Sequence, residues 1–181
     1  MQQDAPPSSE REAPAPEATA GTPGQAVALH RLRASDREEW EALFRSYMSF
    51  YNRESEQQAM YDTCFAGLLR DTALHAFVAR AEDHGGGPEC SGKLLGLVHF
   101  LVHPNTSGPD RCYLQDLFTL ESCRGRGVGR KLIDAVVGWC RERGDIGRVY
   151  WSTAQDNTQA RALYDKVATE SGYVQYRINI E

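Results

Sequence analysis

The sequence predicts an α/β (α+β) fold in which helices flank a mixed, mostly antiparallel central sheet. Three observations lead there. Strand and helix signals alternate from Val27 to the C-terminus. A glycine-rich turn at Arg124–Gly129 joins an aromatic strand to an amphipathic helix. The apolar and charged fractions, 41% and 25%, are those of an ordinary globular chain, and 181 residues suffice for one domain with a core.

Val27–Arg33 reads as the first strand. Ser35-Asp36-Arg37-Glu38 has the form of a capping box, with Ser at the cap and Glu three residues on. The helix it opens puts Trp40, Leu43, Phe44, Tyr47, Met48 and Tyr51 on one face. A second helix is expected over Glu56–Leu69. Leu74–Arg80 and Lys93–His103 read as antiparallel strand neighbours, and Arg111–Leu120 as another strand, rich in Tyr, Leu, Phe and Thr. After the glycine turn, Val128, Leu132, Val136 and Cys140 recur at helical spacing. Arg148–Ser152 is a short strand, Asp156–Glu170 a helix and Tyr173–Ile180 a closing strand. The expected order is β-α-α-β-β-β-α-β-α-β.

Residues 1–24 hold five of the eight prolines, with Ala, Glu, Ser and Thr, and are expected to be a disordered tail. Residues 25–181 form the single folded domain. Glu82–Gly92, with Gly85-Gly86-Gly87-Pro88, is expected to be a mobile loop. The formal charge is -5, and the tail supplies -3 of it. A phosphate backbone needs clustered Lys and Arg, so nucleic acid is not an expected partner. No apolar run approaches the roughly 18 residues of a membrane helix, so no membrane role is expected. Five scattered cysteines without a C-x-x-C pair indicate neither a zinc site nor a disulfide framework. With no apolar leader, a reducing, cytoplasmic setting is expected.

The loop Arg124-Gly125-Arg126-Gly127-Val128-Gly129 carries the chemistry. Glycines turn tightly and leave N–H groups uncovered. The helix start that follows adds free donors and a positive dipole end. Together they suit a phosphate or pyrophosphate, and Arg124, Arg126 and Arg130 add charge. A dinucleotide fingerprint needs G-x-G-x-x-G, yet its third glycine position holds Arg130. A P-loop needs a Lys-Ser or Lys-Thr that is absent. R-x-x-G-x-G fits. On the loop alone, an ordinary strand-to-helix turn remains the alternative.

Further residues extend the match. Tyr113-Leu114-Gln115-Asp116-Leu117-Phe118 precedes the loop; Val149-Tyr150-Trp151-Ser152 and then Asn157, Ala160 and Tyr164 follow it; Ser171-Gly172-Tyr173 opens the last segment. With these motifs, residues 27–180 resemble the GCN5-related N-acetyltransferase (GNAT) superfamily, and within it the yeast histone/polyamine and D-amino-acid acetyltransferase branch. The resemblance implies the GNAT fold and an acyltransferase that moves acetyl from acetyl-CoA to a primary amine by direct attack in a ternary complex. Leu117, Phe118 and Thr119 would offer strand backbone groups to the pantetheine and thioester. Arg124, Gly125, Arg126, Gly127, Val128, Gly129 and Arg130 would cradle the pyrophosphate. Asn157 would bond the pantetheine arm, and Tyr164 would be the general acid. No metal is expected. Relatives often form homodimers, so a homodimer is an expectation here too.

A free alkyl amine has a pKa near 10.4, so a base must take its proton. Asp116 is the candidate, with a structural carboxylate as the alternative. Gln115 stands where polyamine acetyltransferases commonly carry Glu, and Gln accepts no proton at neutral pH. Glu54 and Glu56 are further candidates for facing the amine. His99 and His103 share a strand face but read as hydrogen-bonded sheet histidines. Trp40 and Trp139 read as packing residues, and Trp151 as flanking the substrate channel. The expected acceptor is a small molecule such as a polyamine or amino acid. A protein lysine or histone tail, or a non-catalytic acyl-CoA-binding module, is the alternative.

Overall fold

The computed structural model describes residues 26–53, 57–82 and 92–180. The expected tail over residues 1–24, most of the loop Glu82–Gly92, and both Glu54 and Glu56 lie outside the described residues.

Among the described residues, five strands form one sheet in sequence order: β1 (Val27–Arg31), β2 (His75–Ala81), β3 (Leu94–His103), β4 (Asp110–Thr119) and β5 (Ile146–Tyr150). The first four run antiparallel, and β5 lies parallel to β4. Four α-helices among the described residues cover the faces: α1 (Arg37–Phe50), α2 (Gln58–Arg70), α3 (Val128–Arg143) and α4 (Thr158–Val167). The sheet is mixed and mostly antiparallel, as its sequence pattern predicts.

Each face has its own core. On one, Trp40, Leu43, Phe44 and Tyr47 of α1 and Tyr61, Phe65 and Leu68 of α2 meet Ala76, Val78, Leu94, Leu97 and Phe118 of the sheet. On the other, Val128, Leu132, Ile133, Val136 and Cys140 of α3 meet Leu95, Val98, Phe100, Cys112 and Leu114. Each large apolar side chain removed from water contributes roughly 1.5–3 kcal/mol. Gly96 brings α3 close to the sheet: a Cβ there would meet the Phe118 carbonyl oxygen at 2.7 Å and the Leu132 and Val128 side chains at 3.2 Å.

Three expectations are corrected. The start of α1 is not capped by Ser35 and Glu38. A 3-10 turn covers Ala34–Asp36, and the Arg33 backbone N–H donates to Asp36 Oδ2 at 2.8 Å. Asp36 is buried and also holds Arg80 at 2.9 Å, so the carboxylate with the better tertiary partner takes the role. The last helix is shorter than Asp156–Glu170, because Asn157 is its N-cap and Ala168 is already extended. The closing strand Tyr173–Ile180 does not form, and residues 168–180 carry no secondary structure. A strand needs a partner edge to bond to, and among the described residues this segment pairs with none.

Candidate active site

The site begins where β4 and β5 part. They pair from Asp110↔Ile146 to Tyr113↔Tyr150 and no further. On its other side β4 stays bonded to β3 as far as Gly96↔Thr119. Among the described residues, the edge of Leu114–Thr119 facing β5 therefore has no strand partner, and apart from the Thr119 carbonyl, which accepts from Arg124 Nε, its backbone groups are open to a ligand. The β3–β4 register adds a bulge: His99 opposes Asp116 and Phe100 opposes Leu114, which leaves Gln115 as the extra residue. A bulge re-aims side chains. Leu114 joins the α3-side core, whereas Phe118 joins the α1-side core.

Into this fork opens a narrow cleft lined by Tyr47, Tyr51, Leu114, Gln115, Leu117, Trp151, Ser152 and Tyr164. Tyr164 stacks edge-on against Trp151 with ring centroids 5.2 Å apart. Burial, and next the neighbouring Tyr51 hydroxyl, push its pKa up to about 12, so it stays protonated. Its hydroxyl is available as a donor inside the cleft.

Behind the cleft runs a chain of buried hydrogen bonds. Trp40 Nε1 donates to His99 Nε2 at 2.9 Å, and His99 Nδ1 lies 2.9 Å from Asp116 Oδ2. An indole N–H can only donate, so Nε2 is the acceptor and the His99 proton sits on Nδ1, pointing at Asp116. Both ring nitrogens are thus occupied, as a sheet histidine requires. Tyr47 donates to Asp116 from the cleft side; burial first, then the Asp116 charge, push its hydroxyl pKa far above the ordinary value. Asp116 does not line the cleft itself and reaches it through Tyr47. His103 is remote from this chain and pairs with the Tyr150 hydroxyl at 2.9 Å.

The glycine turn sits at the start of α3. Gly125 and Gly127 have φ of 76° and 78°, the left-handed region that favours glycine, and space is open where their Cβ atoms would lie. Gly127 caps α3, whose first N–H groups face the same space. Gly129 lies under α4: a Cβ there would be 3.2 Å from Leu163 and 3.7 Å from Thr119 Oγ1. Val128 is buried. Arg126 and Arg130 are exposed, with Arg130 Nε 3.7 Å from Asp134. Arg124 instead folds inward, donating from Nε to the Thr119 carbonyl at 3.3 Å and lying over the Phe50 ring. Asn157 uses Oδ1 to cap α4 through the Ala160 N–H at 3.2 Å. Its Nδ2 donates to the Tyr51 hydroxyl at 3.4 Å and to Thr153 Oγ1 at 3.3 Å.

The fold thus gathers Leu117 and Tyr164 into one cleft and sets the glycine turn at the foot of α3, while Phe118 turns its ring into the α1 core, 6.1 Å from Tyr47. An open strand edge can bond an extended polar arm, a helix start capped by a left-handed glycine can hold an anion, and a protonated hydroxyl can donate to a developing negative charge. Sequence reasoning treated Tyr47 and Tyr51 only as members of an apolar helix face. The signal was available: both residues at the C-terminal end of that face carry hydroxyls.

Residues 39–168 match the Acetyltransferase (GNAT) family. The chain belongs to that family. It is an acyltransferase of the GNAT type, and the GNAT family takes its acetyl group from acetyl-CoA. The D-amino-acid N-acetyltransferase HPA3 of Saccharomyces cerevisiae is 30% identical over 154 residues, covering 84% of this chain and 91% of the relative. Among solved GNAT-like structures, a ribosomal-protein-alanine N-acetyltransferase from Brucella melitensis biovar Abortus 2308 superposes with a TM-score of 0.65 at 24% identity, over 86% of this chain and 100% of the other. AAC(6')-Iy in complex with a bisubstrate analogue superposes at 0.70 and 20% identity, over 86% and 99%. These two likenesses concern the fold.

Proposed function

We propose that this GNAT enzyme acetylates the primary amine of a small molecule, by direct attack of the amine on the thioester within the β4–β5 cleft. The observation that carries this reading is the fork itself: an open strand edge and a cleft lined by three tyrosines, Tyr47, Tyr51 and Tyr164, meet at one point. HPA3, whose name gives D-amino acids as its acceptors, supports the same acceptor class.

In this reading acetyl-CoA supplies the acetyl thioester. The N–H groups from Gly125 to Gly129 and the start of α3 hold the pyrophosphate, with Arg124, Arg126 and Arg130 adding positive charge. The free edge of Leu117, Phe118 and Thr119 bonds the pantetheine and aligns the carbonyl. Asn157 keeps α4 capped and offers Nδ2 to the arm. As the amine nitrogen bonds to the carbonyl carbon it becomes acidic. The Tyr47 oxygen then accepts its proton while the Tyr47 hydroxyl proton passes to Asp116. His99, fixed by Trp40, holds that carboxylate in place. Tyr164 donates to the departing sulfur.

The test is release of CoA thiol from acetyl-CoA with polyamines, amino acids of both hands, aminated sugars, arylalkylamines and histone peptides. Turnover with a small amine well above that with any peptide is expected. Faster turnover on peptides overturns the acceptor class, and no release with any acceptor overturns the activity. Asp116→Asn keeps the shape and removes the proton acceptor. It should lower kcat by about 10²–10⁴-fold, the range of general base catalysis. Unchanged turnover would return Asp116 to a structural role.

A further inference from the structure

The sheet face toward α1 and α2 is covered only in part. Tyr113 and Tyr150 oppose each other across β4 and β5, with ring centroids 5.1 Å apart. Their chain neighbours Cys112 and Val149 join the α3-side core, so both tyrosines point the other way. Yet neither belongs to the α1-side core, and Tyr150 is 38% exposed. This bare strip runs into the cleft. The Tyr113 hydroxyl lies 3.2 Å from Ser152 Oγ, and Ser152 and Gln115 both line the cleft. His103 on β3 braces the strip. Its Nδ1–H donates to the Pro104 carbonyl and its Nε2 accepts from the Tyr150 hydroxyl, each at 2.9 Å.

Two residues before the tyrosines the same face turns cationic. Arg111 shares the Tyr113 side of β4 and Arg148 the Tyr150 side of β5, and the register sets these two arginines directly opposite each other. Burial raises the Tyr150 pKa and the Arg111 charge opposes that rise, so this guanidinium acts on the strip. Among the described residues, neither arginine is in an ion pair. Like charges directly opposite on neighbouring strands are destabilising, and an anion between them would relieve that. The glycine turn does not supply the anion, because it follows Thr119, at the other end of β4.

We propose that Arg111 and Arg148 form an anion subsite for the acceptor: the amine enters the cleft, its body lies along Tyr113 and Tyr150, and a carboxylate or phosphate at its far end meets the two guanidiniums. This rests on the small-amine reading above and narrows it. An extended chain rises about 3.3 Å per residue, so Arg148 lies about 7 Å along the chain from Tyr150 and about 13 Å from Ser152. An α-amino acid carries its amine and carboxylate on one carbon and does not span that distance. The fit is to an amine whose anion sits several atoms further along. Guanidinium pairs bidentately with carboxylate and phosphate alike. A polyamine would bring a second ammonium against two positive charges.

Three acceptors of one length test this: 8-aminooctanoate, octylamine and 1,8-diaminooctane, with 6-aminohexyl phosphate as the phosphate arm. In the thiol-release assay, kcat/KM for the better anionic acceptor should exceed that for octylamine by about 5–30-fold, the combined effect of two partly exposed ion pairs. Which anionic acceptor is faster identifies the group. The diamine should be slower than octylamine, and the anionic preference should shrink at high salt. Arg111→Gln/Arg148→Gln should bring the anionic-to-neutral ratio close to one, whereas a merely structural loss lowers both rates alike and leaves the ratio as it was. A wild-type ratio near one, or a ratio unchanged in the double variant, overturns the subsite and leaves the small-amine reading intact. If the double variant fails to fold, the wild-type ratio and its salt dependence decide. If no acceptor turns over, the small-amine reading falls, and calorimetry on the CoA-loaded protein decides the subsite: equal affinity for 8-aminooctanoate and octylamine overturns it.

Discussion

Replacing Tyr164 by phenylalanine removes one hydroxyl from the cleft and leaves the ring against Trp151. The magnitude follows from the pKa near 12 that burial gives this group. A thiol such as cysteine has a pKa near 8.5, so moving the proton fully from Tyr164 to a free thiolate would be uphill by about 3.5 units, roughly 5 kcal/mol. In the proposed mechanism Tyr164 would therefore act mainly as a hydrogen-bond donor to the sulfur as charge develops. A hydrogen bond to a charged partner contributes about 1.5–3 kcal/mol, which is about 10–150-fold in rate. Tyr164→Phe should lower kcat by that factor in the thiol-release assay and leave the acetyl-CoA Kd within about twofold by the same logic. The sign of the pH effect is also fixed. A hydroxyl with a raised pKa stays protonated until pH approaches about 12, so Tyr164 should impose no alkaline fall in kcat between pH 7 and 10. A kcat within twofold of wild type, or a loss confined to acetyl-CoA affinity, would refute the reasoning.

Three other perturbations test separate parts of the structure. Gly127→Ala places a Cβ in the open space before α3 at φ 78°, a conformation that costs an L-residue roughly 1–2 kcal/mol. Calorimetry should show weaker acetyl-CoA binding together with a small drop in Tm, and unchanged affinity would remove the turn from the pyrophosphate site. His99→Leu leaves the buried Trp40 indole N–H without its acceptor, at a cost of about 1–3 kcal/mol in thermal unfolding; an unchanged Tm would mean that the chain of bonds holds nothing together. Burial alone would raise the Asp71 pKa, but hydrogen bonds from Arg31 and His75 bring it below the ordinary carboxylate value. The stability it supplies is present above the unfolded value near 3.9 and is lost as pH falls through its lower folded value. Asp71→Asn should flatten the acid limb of stability below about pH 4, and an identical limb would contradict the pairing.

Much of the donor half of the site was legible in the chain. Gly125, Gly127 and Gly129 announce a backbone that must turn through left-handed angles and pass close to α4, because only glycine does so without strain. Periodicity placed α1, α2, α3 and all five strands to within a few residues, the helices because each turns one apolar stripe to the sheet. Local pattern failed where a tertiary partner decided the outcome. Ser35 has the right residue type for a cap, but Asp36 also reaches Arg80 and takes the position. Residues 173–180 have the alternation of a strand but pair with no strand among the described residues.

The sequence by itself determined the fold class, the glycine turn and the presence of Tyr164 on the helix that follows β5, because spacing along one chain encodes periodicity and backbone freedom. Only the tertiary structure decided that β4 bulges at Gln115, that Asp116 faces Tyr47 and His99 behind the cleft, and that β5 ends with a bare edge. Those facts depend on register and on contacts between residues far apart in the chain. A one-residue shift in strand pairing exchanges the two faces of a strand, and no local pattern records it.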